Sequence, residues 1–73
     1  MPKQIVMDHT GDTRHEFSVD DAVAIKAAEE RFKELTGLGF TAAERVAPGK
    51  TVIVRDFNPT AEETLFFPRL KGG

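Results

Sequence analysis

Cysteine, tryptophan and tyrosine are all missing from the 73 residues. Without cysteine there is no disulfide scaffold, no thiolate zinc site and no cysteine nucleophile. No apolar run approaches the ~20 residues that cross a bilayer. The opening Met1-Pro2-Lys3-Gln4 lacks the apolar centre of a signal peptide. The expectation is a soluble, cytoplasmic protein of a reducing compartment. An excess of one charge is missing too: ten basic against twelve acidic side chains leave a net charge of −2. A sequence-independent nucleic-acid binder needs a basic face, and here the Lys and Arg residues are scattered from Lys3 to Lys71. Neither nucleic acid nor membrane is expected as a partner.

What is present is enough for one small domain. The chain is 40% hydrophobic and 30% charged, too apolar and too balanced for a disordered segment. A domain of this size buries only ~60–65% of its unfolded surface. Ordering it costs on the order of 100 kcal/mol at ~1.5 kcal/mol per residue. Most large side chains must therefore serve the core, and little is left to line a deep, water-excluding active site. The protein is not expected to be an enzyme.

The element order can be read from periodicity. Gln4–His9 is a short β-branched segment with Ile5, Met7 and His9 on one side and Gln4, Val6 and Asp8 on the other. Thr10-Gly11-Asp12 makes a turn, and Thr13–Phe17 alternates again, which predicts a hairpin. That turn would set His9 against Thr13 and His15 against Met7. Ser18-Val19-Asp20-Asp21 has capping-box spacing. From there to Thr36 the chain holds no Gly or Pro, and Ile25, Ala28, Phe32 and Leu35 form one stripe of an amphipathic helix. Gly37 stands where a left-handed C-cap is needed. Phe40–Val46 reads as a strand and Pro48-Gly49-Lys50 as a tight turn. Thr51–Phe57 is the strongest strand, and its continuous apolar stretch predicts a central place in the sheet. Asn58–Glu63 reads as a short capped turn of helix, and Thr64–Phe67 as a last strand. The order β-β-α-β-β-(short helix)-β predicts an α+β fold, one mixed sheet with a helix packed across it, best matched by a two-layer roll of the β-grasp type. Residues 1–67 form the domain and 68–73 a tail.

Packing does not account for that tail. Arg69-Leu70-Lys71 precedes Gly72-Gly73. In these residues the chain resembles ubiquitin and its relatives, β-grasp proteins with a tail ending in Arg-Leu-basic-Gly-Gly. The preceding Phe66-Phe67-Pro68 is more similar to the sulfur carriers of thiamin and molybdopterin synthesis, which share the fold and often have an aromatic-Pro pair before their own diglycine. The residue-level match covers the last six to eight positions. The resemblance implies that the Gly73 carboxylate is the reacting group. An adenylating enzyme, using ATP and magnesium, activates it for transfer to a conjugating enzyme and target amines, or to a sulfur-accepting enzyme. Glycines lack a Cβ, so Gly72 and Gly73 can pass a narrow channel to reach the nucleotide. Arg69 and Lys71 would meet acidic groups there, and Leu70 an apolar pocket. Because the chain ends at the diglycine, no protease would be needed to expose it. Leu65, Phe66 and Phe67 could form a partner patch. No cofactor is bound by the chain itself, and a monomer is expected. If copies are joined to one another, Lys3, Lys26, Lys33, Lys50 or Lys71 must be the acceptor. A β-grasp adaptor that binds without covalent chemistry, through its sheet or an edge strand, is the alternative.

Other polar groups read as ordinary surface. His9 and His15 share the hairpin, but a metal site needs three or four converging ligands, so no metal is expected. Asp20-Asp21, Glu29-Glu30 and Glu62-Glu63 are adjacent pairs, and neighbours on a helix point about 100° apart, so they make no catalytic dyad.

Overall fold

The computed structural model describes residues 1–68; Arg69, Leu70, Lys71, Gly72 and Gly73 lie outside the described residues. The elements are β1 (Lys3–Asp8), β2 (Gly11–Glu16), α1 (Ala22–Gly37), β3 (Phe40–Ala47), β4 (Lys50–Val54) and β5 (Glu63–Pro68). They form an α+β fold in which one five-stranded mixed sheet, ordered β2-β1-β5-β3-β4, carries α1 on one face. β1 and β5 run parallel, and every other neighbouring pair is antiparallel. α1 is not long and apolar enough to cross a membrane.

The first hairpin closes one step earlier than the sequence suggests. Asp8 Oδ1 accepts hydrogen bonds from both the backbone N–H and the hydroxyl of Thr10. This Asx turn fixes the reversal at His9-Thr10, and Gly11 follows at φ +126°, a conformation that suits glycine. Asp8 therefore faces Gly11, Val6 faces Thr13, and His15 faces Gln4 rather than Met7.

The helix also starts later than expected. Ser18 accepts from the Asp20 N–H through its side chain and from the Asp21 N–H through its carbonyl, making a local turn of its own. The N-cap is Asp21, whose carboxylate accepts from Val23 N–H and Ala24 N–H at 3.1 Å each. At the other end Gly37 is still helical, Leu38 is the C-cap, and Gly39 takes the positive φ of +102°. The exit needs one left-handed residue, and the second of two nearby glycines supplies it. The expected stripe does face the sheet: Ala28 and Phe32 are buried, and Ile25 and Leu35 are half-buried.

Two further expectations are corrected. No helix forms at Asn58–Glu63. Asn58 Oδ1 instead accepts from the N–H and hydroxyl of Thr60, and its carbonyl accepts from Ala61 N–H, giving a compact turn. The strongest apolar run does not hold the sheet's centre. β4 stops at Val54 and lies at an edge, while β5 sits in the middle. Apolar content measures affinity for a sheet but does not order its strands. The chain bends at Arg55-Asp56, and Phe57 leaves the strand to pack on Phe32.

The core is built from phenylalanine. Phe32, Ala42 and Phe66 form its centre, with Val6, Leu35, Phe40, Val54 and Phe57 packed around them. Phe32 meets Phe66 edge-on at 5.6 Å and Phe57 at 6.0 Å, and Phe57 meets Phe17 at 6.2 Å. Each such contact contributes ~0.5–1.5 kcal/mol beyond area burial. Phe66→Ala should cost ~3–5 kcal/mol, most of the stability of a small domain. Phe67→Ala, on the opposite face and half-buried, should cost roughly half of that or less, following the apolar area lost. Urea unfolding of the two variants tests this, and equal losses would contradict the assigned faces.

Candidate functional site

The strand pairings sort the sheet's side chains onto two faces. Phe66, Val6, Ala42 and Val54 turn toward α1. Their sequence neighbours therefore lie on the other face, which no helix covers among the described residues. There the register lines up Arg14, Ile5, Leu65, Ala43 and Ile53 as one transverse row across all five strands. Ile5 and Ala43 are buried within this row, Leu65 is half-buried, and Ile53 is 65% exposed at the end. Phe67, opposite Thr41, and Met7, opposite Asp12, extend the apolar surface toward the end of β5. On the other side runs a row of alternating charge: Glu16, Lys3, Glu63 and Arg45. Arg45 Nε lies 3.3 Å from Glu63 Oε1. Arg45 and Glu63 also line a hollow of about 360 Å³ with Val46, Ala47, Pro48 and Glu62. The arrangement is an apolar strip edged by charge, the combination that protein contact surfaces use.

Of the expected patch, Leu65 and Phe67 lie on this open face. Phe66 does not: it is fully buried against Phe32 on the helix side. Consecutive strand residues alternate, so three in a row cannot share a surface. Gly73, Gly72, Arg69, Leu70 and Lys71, expected to form the activation site and its flanking contacts, lie outside the described residues. They follow directly on Pro68, the last residue of the central strand.

The two histidines are separated. His9 sits in the hairpin turn, whereas His15 faces Gln4 near the far end of β2. Among the described residues no three His, Asp or Glu side chains converge as metal ligands. The hairpin instead borders a polar bridge that sequence reading missed. Gln4 is fully buried; its Nε2 donates to the Ala28 carbonyl at 2.9 Å, and its Oε1 accepts from Arg31 Nη1 at 2.8 Å. The signal was the alternation that puts Gln4 on the same side as Val6. Leaving either end of such a buried amide unpaired would cost ~1–3 kcal/mol.

Against protein-family models, curated proteins and solved structures, the chain gives no match.

Burial, and then the nearby Arg31 guanidinium, hold the His15 pKa below its ordinary 6.5. The unfolded chain therefore binds more protons than the folded one as pH falls below about 6.5. Stability should drop in that window, and the effect vanishes above it, where both forms are neutral. His15→Gln should flatten the decline between pH 7.5 and 5.5 in urea titrations. An unchanged slope would contradict the assignment. Asp8, held low by its bonds from Thr10, acts only further down: its contribution is present above 3.8 and lost as pH falls below that value.

Proposed function

We propose that this protein is a β-grasp domain of the ubiquitin-like type, and that the Gly73 carboxylate is activated by adenylation and passed to partner enzymes or target proteins. The observation that carries the reading is Arg69-Leu70-Lys71-Gly72-Gly73 following the central strand of a mixed β-β-α-β-β-β sheet. The order β2-β1-β5-β3-β4, with parallel central strands and one helix across them, supports the β-grasp assignment. It does so as fold-level analogy, and the chemistry rests on the tail residues.

The step itself balances simply. A carboxylate oxygen of Gly73 attacks the α-phosphorus of ATP, pyrophosphate leaves, and an acyl-adenylate forms. Magnesium held by the activating enzyme offsets the phosphate charge. A thiolate of the enzyme then attacks the carbonyl carbon, AMP leaves, and the acyl group is carried as a thioester until an amine displaces it. The chemistry requires Gly73 to bear the free carboxylate in the mature protein. The domain supplies no catalytic group and binds no cofactor. Its role is presentation: Gly72 and Gly73 let the backbone enter a narrow channel, while the strip of Ile5, Leu65, Phe67 and Ile53 offers the surface by which partner enzymes hold the domain.

A second reading keeps the adenylate and changes its fate. Phe67-Pro68 before the basic-apolar segment favours a sulfur carrier, in which sulfide-level sulfur from a donor attacks the carbonyl carbon of the adenylate, AMP leaves, and a thiocarboxylate remains. Intact mass of the protein after incubation with cell extract, ATP and magnesium separates the readings. A modifier appears as larger covalent conjugates, and a sulfur carrier gains the mass difference between one sulfur and one oxygen. Both products should vanish when Gly73 is deleted. No change of mass in an extract active on another carrier would overturn both, leaving a non-covalent adaptor that works through the open face.

A further inference from the structure

Among the described residues the sheet ends in two open edges of opposite chemical character. β2 shows Asp12, Arg14 and Glu16, all exposed, the kind of charged edge that discourages pairing. β4 shows Lys50-Thr51-Val52-Ile53-Val54, a β-branched run with no charge at its centre. Among the described residues it pairs only with β3, so its outer side keeps backbone donors and acceptors free. Val52 is 40% and Ile53 65% exposed. Lys50 and Asp56 bracket this run, and neither is engaged in an ion pair among the described residues.

We propose that β4 pairs antiparallel with β4 of a second copy, in the register that sets Ile53 against the partner's Ile53. A two-fold axis normal to the sheet keeps each face on its own side, so facing residues must share a face and the register moves in steps of two. Three registers then place the apolar run within reach. Centred on Ile53, Val52 meets the partner's Val54, Thr51 meets the partner's Arg55, and Lys50 meets the bend that carries the partner's Asp56. Centred on Val52, Lys50 falls opposite the partner's Val54 and Gly49 opposite the partner's Arg55, so the ion pairs are lost. Centred on Val54, Val52 falls opposite the partner's Asp56. Of the three, only the Ile53 register keeps the apolar residues opposite one another and brings Lys50 toward the partner's Asp56, a pair that symmetry supplies twice; Arg55 meets Thr51 without a counter-charge. Self-complementarity of this kind points to a second copy rather than to a foreign strand. It also joins the two open-face rows, each ending at Ile53, into one continuous strip. A net charge of only −2 sets little repulsion against it.

The contact is short. In this register only Val52, Ile53 and Val54 of each β4 face one another within the strand, roughly 10 Å of chain, and the flanking contacts come from residues just beyond it. This is below the size of a standard interface, so the dimer should be weak, with a dissociation constant on the order of 0.1 mM. The monomer expected from the sequence is then the dilute form. This inference does not depend on the chemistry at Gly73.

Sedimentation equilibrium from tens of micromolar to about 1 mM tests it. The wild type should shift from monomer to dimer, and Ile53→Lys should stay monomeric throughout. Lys50→Asp and Asp56→Lys, each placing like charges opposite one another twice, should each weaken association by at least about tenfold. An equimolar mixture of those two variants should recover the dimer, because both pairs become attractive again. All three substitutions are at exposed positions, and circular dichroism checks that each variant keeps its fold. A wild type that stays monomeric to the highest concentration would overturn the proposal. So would a dimer indifferent to Ile53→Lys, or a mixture that fails to recover.

Discussion

The edge-on contact between Phe32 and Phe66 is the joint on which the molecule depends. One ring comes from the middle of α1, the other from the central strand. Because Phe66 points to α1, Leu65 and Phe67 must point away, and that alternation alone creates the open face. Because β5 is central, the segment from Arg69 onward follows the best-supported strand in the sheet. The remaining aromatic contacts, Phe57 on Phe32 and Phe17 on Phe57, tie the two irregular stretches flanking the helix and β4 to the same point. A chain this small has few large side chains, and four of its six phenylalanines are spent on this one line of contacts.

Local patterns were legible in proportion to how much physics they contained. The amphipathic stripe of Ala28, Phe32 and Leu35 marked the buried side of the helix because a 3.6-residue period admits few alternatives. Its ends lie three and two residues beyond the expected ones, since Ser18 and Asp21 are both competent caps, and Gly37 and Gly39 both competent exits. Only the neighbouring turn chooses between them. The hairpin was visible, but its register was not: Asp8 bonding to Thr10 moved the reversal, and every cross-strand partner moved with it. Sheet order was the least legible feature. Val52-Ile53-Val54 looks more central than Leu65-Phe66-Phe67, yet strand position follows from which strand can pair parallel with β1, a non-local fact.

The site divides in the same way. Leu65, Phe66 and Phe67 were identifiable as candidates; alternation along the strand sets Phe66 apart from the other two, and the helix packed on it decides which of the two sides is buried. Alternation sets Gln4 on the side of Val6, but its bridge is not legible, because its partners, the Ala28 carbonyl and Arg31, lie 24 and 27 residues away. The tail is the reverse case. The chemistry proposed for it rests on residue types and on the family they resemble, a diglycine preceded by Arg-Leu-Lys, and on no feature of the fold. What the fold adds is the strand that the tail follows in sequence, with Leu65 and Phe67 of that strand on the open face.

Hydrogen exchange of the backbone amides tests the central place of β5 most directly. Measured at concentrations low enough to keep the protein monomeric, the amides of Leu65, Phe66 and Phe67 should open only with global unfolding. Those of Thr51 to Val54 should exchange faster, through local fraying of an edge strand. Amides of β4 that outlast those of β5 would contradict the sheet order, and with it the division between core and open face.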